Sequence, residues 1–276
     1  MPAKKRPLPP WLMGVAENDP ESSQKTNKDG MKDCGLVNPS NPDPASSAMG
    51  KKQKPTPPDH THMDKQQCLT ATQIVEMSYP SYSFKGSIIY SYNKDECNLL
   101  CDELLSEIGT AKDSVVGFDM EWPVTYDRGR QAKTALIQIA PSVEKCYLFH
   151  VSCMPKFPSV LKKIIKSETI KKVGLNISND FWKLDADYDV GARQIIKTSA
   201  IELRTLANRK LKSAENWSLE GLVKNVLRQR LSKDPSVRTC NWSQFPLSEE
   251  QLRYAASDAV VSLMLHSKLT KTDTVS

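Results

Sequence analysis

The chain has 276 residues, 39% of them hydrophobic and 25% charged, with 18 prolines and a net charge of +6. The apolar share lies below the roughly 45–50% of an average soluble domain, and eleven prolines fall between Pro2 and Pro58, so a core-poor segment dilutes an ordinary globular part. No apolar run approaches the roughly 18–20 residues of a bilayer crossing, no internal repeat is present, and Lys4-Lys5-Arg6 leads into Pro7-Leu8-Pro9-Pro10 rather than a signal peptide; membrane, secreted and solenoid proteins are excluded.

Residues 1–77 are rich in Pro, Ser, Asn, Lys and Asp without an apolar period. Such a segment buries too little surface to offset its ordering entropy, and it is expected to be a disordered tail. Lys4-Lys5-Arg6 and Lys51-Lys52-Gln53-Lys54 match short nuclear-import signals, a pattern that is common by chance. Trp11-Leu12-Met13 could dock a partner, and His60 and His62 read as solvated linker because no further metal ligand accompanies them. The tail carries 10 basic and 9 acidic residues, so most of the positive charge belongs to the remainder. A mildly basic globular part is compatible with a nucleic-acid substrate without demonstrating one.

Order is expected to begin near Phe84. Ser87-Ile88-Ile89-Tyr90 reads as a strand. Cys97, Leu100, Cys101, Leu104, Leu105 and Ile108 recur at helical spacing, and Gly109 stops that helix. Val115 to Trp122 reads as a buried strand, followed by strand-like runs at Thr134–Ala140 and Lys145–Val151. Val160 to Ile165 predicts a helix, Lys171–Leu175 a short strand, and Asp180 to Leu184 a helix. Ile201–Leu206 and Leu219–Leu231 are expected to be helical. Ser248 with Gln251 matches a capping box that starts a last helix, whose stripe Leu252, Ala255, Ala256, Ala259, Val260, Leu263, Met264 runs to about Lys268. Strands first and helices later argue for an α/β or α+β layer fold with a mixed sheet. The seven cysteines are irregularly spaced with no Cys-x-x-Cys pair. That leaves a zinc ribbon or redox motif unsupported and fits a reducing compartment.

Three features carry chemistry. Asp119 and Glu121 stand two apart on an otherwise apolar strand, so their carboxylates share a face. Buried together they repel unless a hard divalent cation lies between them; at an exposed strand end they need none. Tyr254 and Asp258 are four apart on the Ala-rich last helix and share one of its faces, which a local surface hydrogen bond would also explain. Asp180 opens a helix after Gly174-Leu175-Asn176, a position where Asp is a routine cap. Each feature alone is weak.

Together, Phe118-Asp119-Met120-Glu121-Trp122, Lys172-Val173-Gly174 leading to Asp180, and Tyr254-Ala255-Ala256-Ser257-Asp258 resemble the three motifs of the DEDDy 3′–5′ exonucleases. Gly86–Tyr92, Val115–Pro123, Ala135-Leu136-Ile137-Gln138, Lys145–His150, Trp217-Ser218-Leu219 and Asn241-Trp242-Ser243 narrow the resemblance to the Werner-syndrome-protein type, over about Phe84 to Leu269. The resemblance implies an α/β, ribonuclease-H-like (DnaQ-type) fold: a mixed β-sheet flanked by α-helices at residues 78–270, with residues 271–276 as a flexible C-terminus. It implies that Asp119, Glu121, Asp180 and Asp258 hold two divalent ions, Mg2+ with Mn2+ able to substitute, and that Tyr254 positions the attacking water. By the same resemblance the substrate is DNA with an accessible 3′ end, the product is a nucleoside 5′-monophosphate, and the setting is repair or replication in the nucleus. No Walker-type motif is present. The form implied is therefore a stand-alone exonuclease, whose RecQ-type helicase and replication or repair partners are separate polypeptides.

Arg128, Arg130 and Lys133 could grip phosphates near the 3′ end, or form a solvated basic loop. Trp182 could stack on a terminal base, although a core anchor is the favoured reading, and Lys171-Lys172 and Lys210–Lys212 read as ordinary surface. Two rival functions stand beside the exonuclease: the same chemistry on RNA, and a nucleic-acid-binding module on a catalytically dead fold. The Werner-type segments favour DNA, and the presence of every acidic position speaks against a dead fold. A third rival, in which the tail is the active part, predicts that removal of residues 1–77 abolishes function.

Overall fold

The computed structural model describes residues 75–109, 114–125, 131–231 and 234–271. The tail motifs, His60, His62, Arg128, Arg130 and residues 272–276 lie outside the described residues. In chain order the elements are strand β1 (Ser81–Tyr82), β2 (Ser87–Ser91), helix α1 (Lys94–Ile108), β3 (Ser114–Glu121), β4 (Leu136–Ser142), β5 (Lys145–Phe149), α2 (Ser159–Lys166), β6 (Ile170–Gly174), α3 (Ile177–Tyr188), α4 (Ala192–Thr198), β7 (Ala200–Glu202), α5 (Leu203–Leu211), α6 (Leu219–Leu222), β8 (Arg230–Leu231), α7 (Pro235–Arg238) and α8 (Glu249–Lys271). A single π turn, Val223–Leu227, follows α6.

Six strands form one sheet in the order β2-β5-β4-β3-β6-β7. β4 runs antiparallel to both neighbours, and the other pairings are parallel. This is the mixed sheet with flanking helices that the sequence predicts. Alternation on β3 assigns its two faces. Phe118 and Met120 enter a core with Cys97, Cys101 and Leu104 of α1, Leu161 of α2 and Phe181 of α3. On the opposite face Leu136, Ala140, Cys146 and Leu148 of β4 and β5 meet Leu252, Ala255, Ala256 and Ala259 of α8. A third cluster joins Val173, Leu203, Leu222 and Val261.

The fit of α8 onto β3 depends on a missing side chain. A Cβ on Gly117 would lie 2.0 Å from the Ala259 carbonyl oxygen, and one on Gly174 would lie 2.7 Å from the Phe118 carbonyl oxygen. Only glycine admits backbone this close. The start of α8 is fixed as expected: Ser248 Oγ accepts from Gln251 N (3.2 Å) while Gln251 Oε1 accepts from Ser248 N (2.9 Å).

Several sequence expectations need correction. Ile201 belongs to β7, paired with Val173, and the helix begins only at Leu203. The run Leu219–Leu231 is broken by the π turn, by Arg228 in the left-handed region (φ 56°) and by β8. The short helices α4 and α7 and the strand β1 had no clear periodic signal. Order begins before Phe84: β1 pairs with β8, and Glu76 bonds Lys224 (3.0 Å). Lys172 is fully buried, not surface; its Nζ donates to the Ser167 and Ile170 carbonyls and to Ser199 Oγ (2.7–2.9 Å). Burial pushes its ammonium down to about 7, with the Lys171 charge contributing.

Candidate active site

Asp119 and Glu121 end β3 on its α8 side, both half-buried. The Gly117–Ala259 contact brings α8 against them, and Asp258, the residue before Ala259, is 8% exposed. One oxygen from each of Asp119, Glu121 and Asp258 falls within 4.8 Å of the others. Asp119 Oδ1 accepts from Met120 N at 2.9 Å, which orients the carboxylate. Asp180 arrives from the other side of β3. Phe118 and Phe181 stack with ring centroids 5.0 Å apart, and this seats the first turn of α3 beside β3. Asp180 lies outside the three-oxygen group, close enough for the Asp119 charge to act on it.

The electrostatics are those of crowded, partly dehydrated anions. Burial pushes Asp119 up to about 6 despite its bond from Met120 N. Glu121 is held well above the carboxylate range by burial, then by Asp119, Asp258 and Asp180. Asp180 is raised by burial, then by Asp119 and by Glu202. A buried carboxylate set is costly unless cations neutralise it. An all-oxygen anionic donor set at this spacing fits a hard divalent cation, so these residues match the metal that the sequence resemblance implies.

Tyr254 is half-buried one turn before Asp258, with its ring centroid 6.1 Å from that of the fully buried Trp242. Burial and then Asp258, Glu121 and Asp119 raise its phenol above the ordinary value, so it stays protonated at neutral pH. A cleft of about 550 Å³, lined by Tyr82, Leu231, Val237, Arg253, Tyr254 and Asp258 among others, opens beside it.

The proposed substrate contacts divide. Trp182 is 50% exposed, which corrects the expectation of a core anchor; Phe181 fills that place instead. Trp122 is half-buried, packed against the core beneath Lys183 Nζ (5.6 Å from the ring). Lys133 is exposed, its Nζ 5.9 Å from the Tyr188 ring. Three neighbours escaped sequence reading. Arg238 opposes the charge of Glu121 and acts on Tyr254, Glu202 faces Asp180, and Gln138 stands opposite Asp119 in the β3–β4 ladder. The first two had no motif to reveal them, while Gln138 ends the Ala135–Gln138 run.

The family described as 3′-5′ exonuclease matches residues 91–272. The chain is 44% identical over 218 residues to the bifunctional 3′-5′ exonuclease/ATP-dependent helicase WRN of Mus musculus, covering 77% of this chain but 15% of that protein. A 3′-5′ exonuclease of Drosophila erecta is 33% identical over 193 residues, covering 69% of this chain and 54% of the fly protein. The chain thus spans at most about half the length of these two relatives. Among solved structures, the Aedes aegypti Nibbler EXO domain superposes with a TM-score of 0.57 at 22% identity, over 69% of this chain and 92% of that one. Brucella melitensis NrnC gives 0.50 at 17%, over 68% and 81%. Both share the fold. With the family match spanning residues 91–272 and 44% identity to a 3′-5′ exonuclease-bearing relative, the chain belongs to the 3′–5′ exonuclease family, whose members are hydrolytic nucleases.

Proposed function

We propose that the protein removes nucleoside 5′-monophosphates from DNA 3′ ends by two-metal-ion hydrolysis. The observation that carries this reading is the convergence of Asp119, Glu121 and Asp258 oxygens within 4.8 Å, with Asp180 under the influence of the Asp119 charge. Divalent cations held there would supply Lewis acidity for hydrolysis at neutral pH. Magnesium is the cellular ion and manganese a substitute. Asp119, Glu121 and Asp258 would hold the ion on the water side, and Asp119 with Asp180 the other. Tyr254 is too weak an acid to serve as a phenolate base, so its hydroxyl orients the attacking water. The exposure of Trp182 and Lys133 supports a role for both in meeting the strand, and Arg128 and Arg130 would be further phosphate contacts.

The 44% identity to a mouse protein that joins a 3′-5′ exonuclease to an ATP-dependent helicase supports work beside a helicase; DNA as substrate, the nucleus as setting and repair or replication as context belong to the same proposal. The test uses 5′-labelled DNA with a recessed 3′ end, and a matched RNA, with and without Mg2+. A metal-dependent ladder shortening from the 3′ end is expected on DNA, and Asp119→Ala with Glu121→Ala should reduce it to the metal-free background while circular dichroism stays native. Full activity in the double variant, or faster cleavage of RNA, would contradict the proposal.

A further inference from the structure

One polar side chain beside the site has no role in the chemistry described so far. Gln138 lies in the middle of β4 and is 0% exposed. Among the described residues neither its Nε2 nor its Oε1 has a hydrogen-bond partner. Its neighbours two residues away on the same face, Leu136 and Ala140, and its β5 partner Leu148 are apolar core residues. An apolar side chain at this position would face no dehydration cost, whereas a buried carboxamide without a partner carries one. A buried polar group of this kind marks a strain reservoir, an ordered solvent site or a functional contact.

Register decides among these. Gln138 is paired directly with Asp119 across the β3–β4 ladder. Side chains of directly opposed residues stand on the same face with Cβ atoms roughly 4.5–5.5 Å apart. The carboxamide and the Asp119 carboxylate therefore share one face at a separation that one water can bridge. Asp119 uses Oδ1 for the Met120 N–H. A carboxylate oxygen has acceptor capacity left, and an amide nitrogen has two donors.

We infer that Gln138 is a positioning residue of the exonuclease site, whose carboxamide donates through one bridging water to the Asp119 carboxylate and fixes its orientation towards divalent cations. The inference rests on the reading of Asp119 as a metal ligand. Partners that orient ligating side chains typically change metal affinity by about 10–100-fold when removed.

The test replaces Gln138 with Met, close in size and unbranched but unable to donate, in the full chain. Mn2+ binding is titrated calorimetrically without DNA, the metal-free chain is melted, and the DNA cleavage rate is followed against Mg2+. The expected result is an unchanged or higher melting temperature without metal, Mn2+ affinity weakened by about 10-fold or more, and a matching rise in the Mg2+ needed for half-maximal rate with a smaller change in the saturated rate. Mn2+ affinity within twofold of wild type would overturn the inference. If Gln138→Met melts lower, Leu148→Ala supplies a core variant without the amide change: it must keep its Mn2+ affinity, and an equal loss in both would also overturn the inference. A wild-type chain that takes up no Mn2+ would sink the metal reading itself, and the Gln138 role with it.

Discussion

Asp119 shows how a single side chain can trade stability for chemistry. Its carboxyl is pushed up to about 6 in the folded chain against an ordinary value of 3.8. Below the ordinary value both folded and unfolded chains hold the proton, and the stability contribution is fully present. As pH rises through 6 the folded chain must carry a buried charge that the unfolded chain already carries in water, so this contribution is lost. Glu121 and Asp180 shift in the same direction and add to the effect. The metal-free chain should therefore lose stability between about pH 4 and 6, on the order of 1–3 kcal/mol from Asp119. Asp119→Asn should flatten that slope and melt higher than wild type at pH 7 in chelator. Saturating Mn2+ should reverse the order, because only the carboxylate gains from the ion. Melting curves against pH, with and without Mn2+, check both parts; an Asn variant that melts lower in chelator would contradict the account.

At the scale of elements, the site is set by how closely α8 approaches β3. The carboxylates of Asp119 and Asp258 belong to elements separated by more than a hundred residues, and Gly117 lets the two backbones touch. Gly117→Ala forces its Cβ against backbone at Ala259, which has no flexible end to yield. A loss of about 1–3 kcal/mol is expected, as for other overpacked cores. Nuclease activity should fall further than stability alone accounts for, since α8 carries both Tyr254 and Asp258. A variant with wild-type melting temperature and rate would show that the close approach is dispensable. The same element hides its role from periodicity: its apolar stripe predicts which face is buried, but not that the adjoining face looks onto β3.

For the whole molecule, ordered chain extends a few residues ahead of Phe84. Phe84 is 2% exposed, its N–H donates to Ser257 Oγ (3.1 Å), and its carbonyl accepts from Arg253 Nη1 (3.3 Å). The segment Ser81–Phe84 is thus pinned to α8 beside Asp258, and Ser81, Tyr82 and Ser83 line the cleft there. The Glu76–Lys224 pair is partly exposed, and pairs of that kind contribute at most about 1 kcal/mol. Removal of residues 1–77 should leave the DNA cleavage rate within a few-fold of the full chain. Removal through Phe84 should lower the melting temperature sharply and abolish cleavage. Equal behaviour of the two truncations would contradict the pinning role of Phe84. Among the described residues no helix is long and apolar enough to cross a membrane.

Local patterns determined much of this protein. Helix α1 with Cys97, Cys101 and Leu104 on its buried face, the capping box at Ser248, the alternation on β3 and the three acidic motifs are all readable, because each rests on neighbours within one or two turns of chain. Only the tertiary structure decided the rest. Ile201 is a strand residue because Val173 pairs with it, β8 exists because Ser81 and Tyr82 arrive from about 150 positions away, and Lys172 is buried because Ser199, 27 positions on, joins the nearby Ser167 and Ile170 carbonyls around its ammonium. Gln138 is no different: an amide inside an apolar strand looks like a flaw until the ladder sets it opposite Asp119. Burial and pairing across long separations follow from global packing, and no local period encodes them.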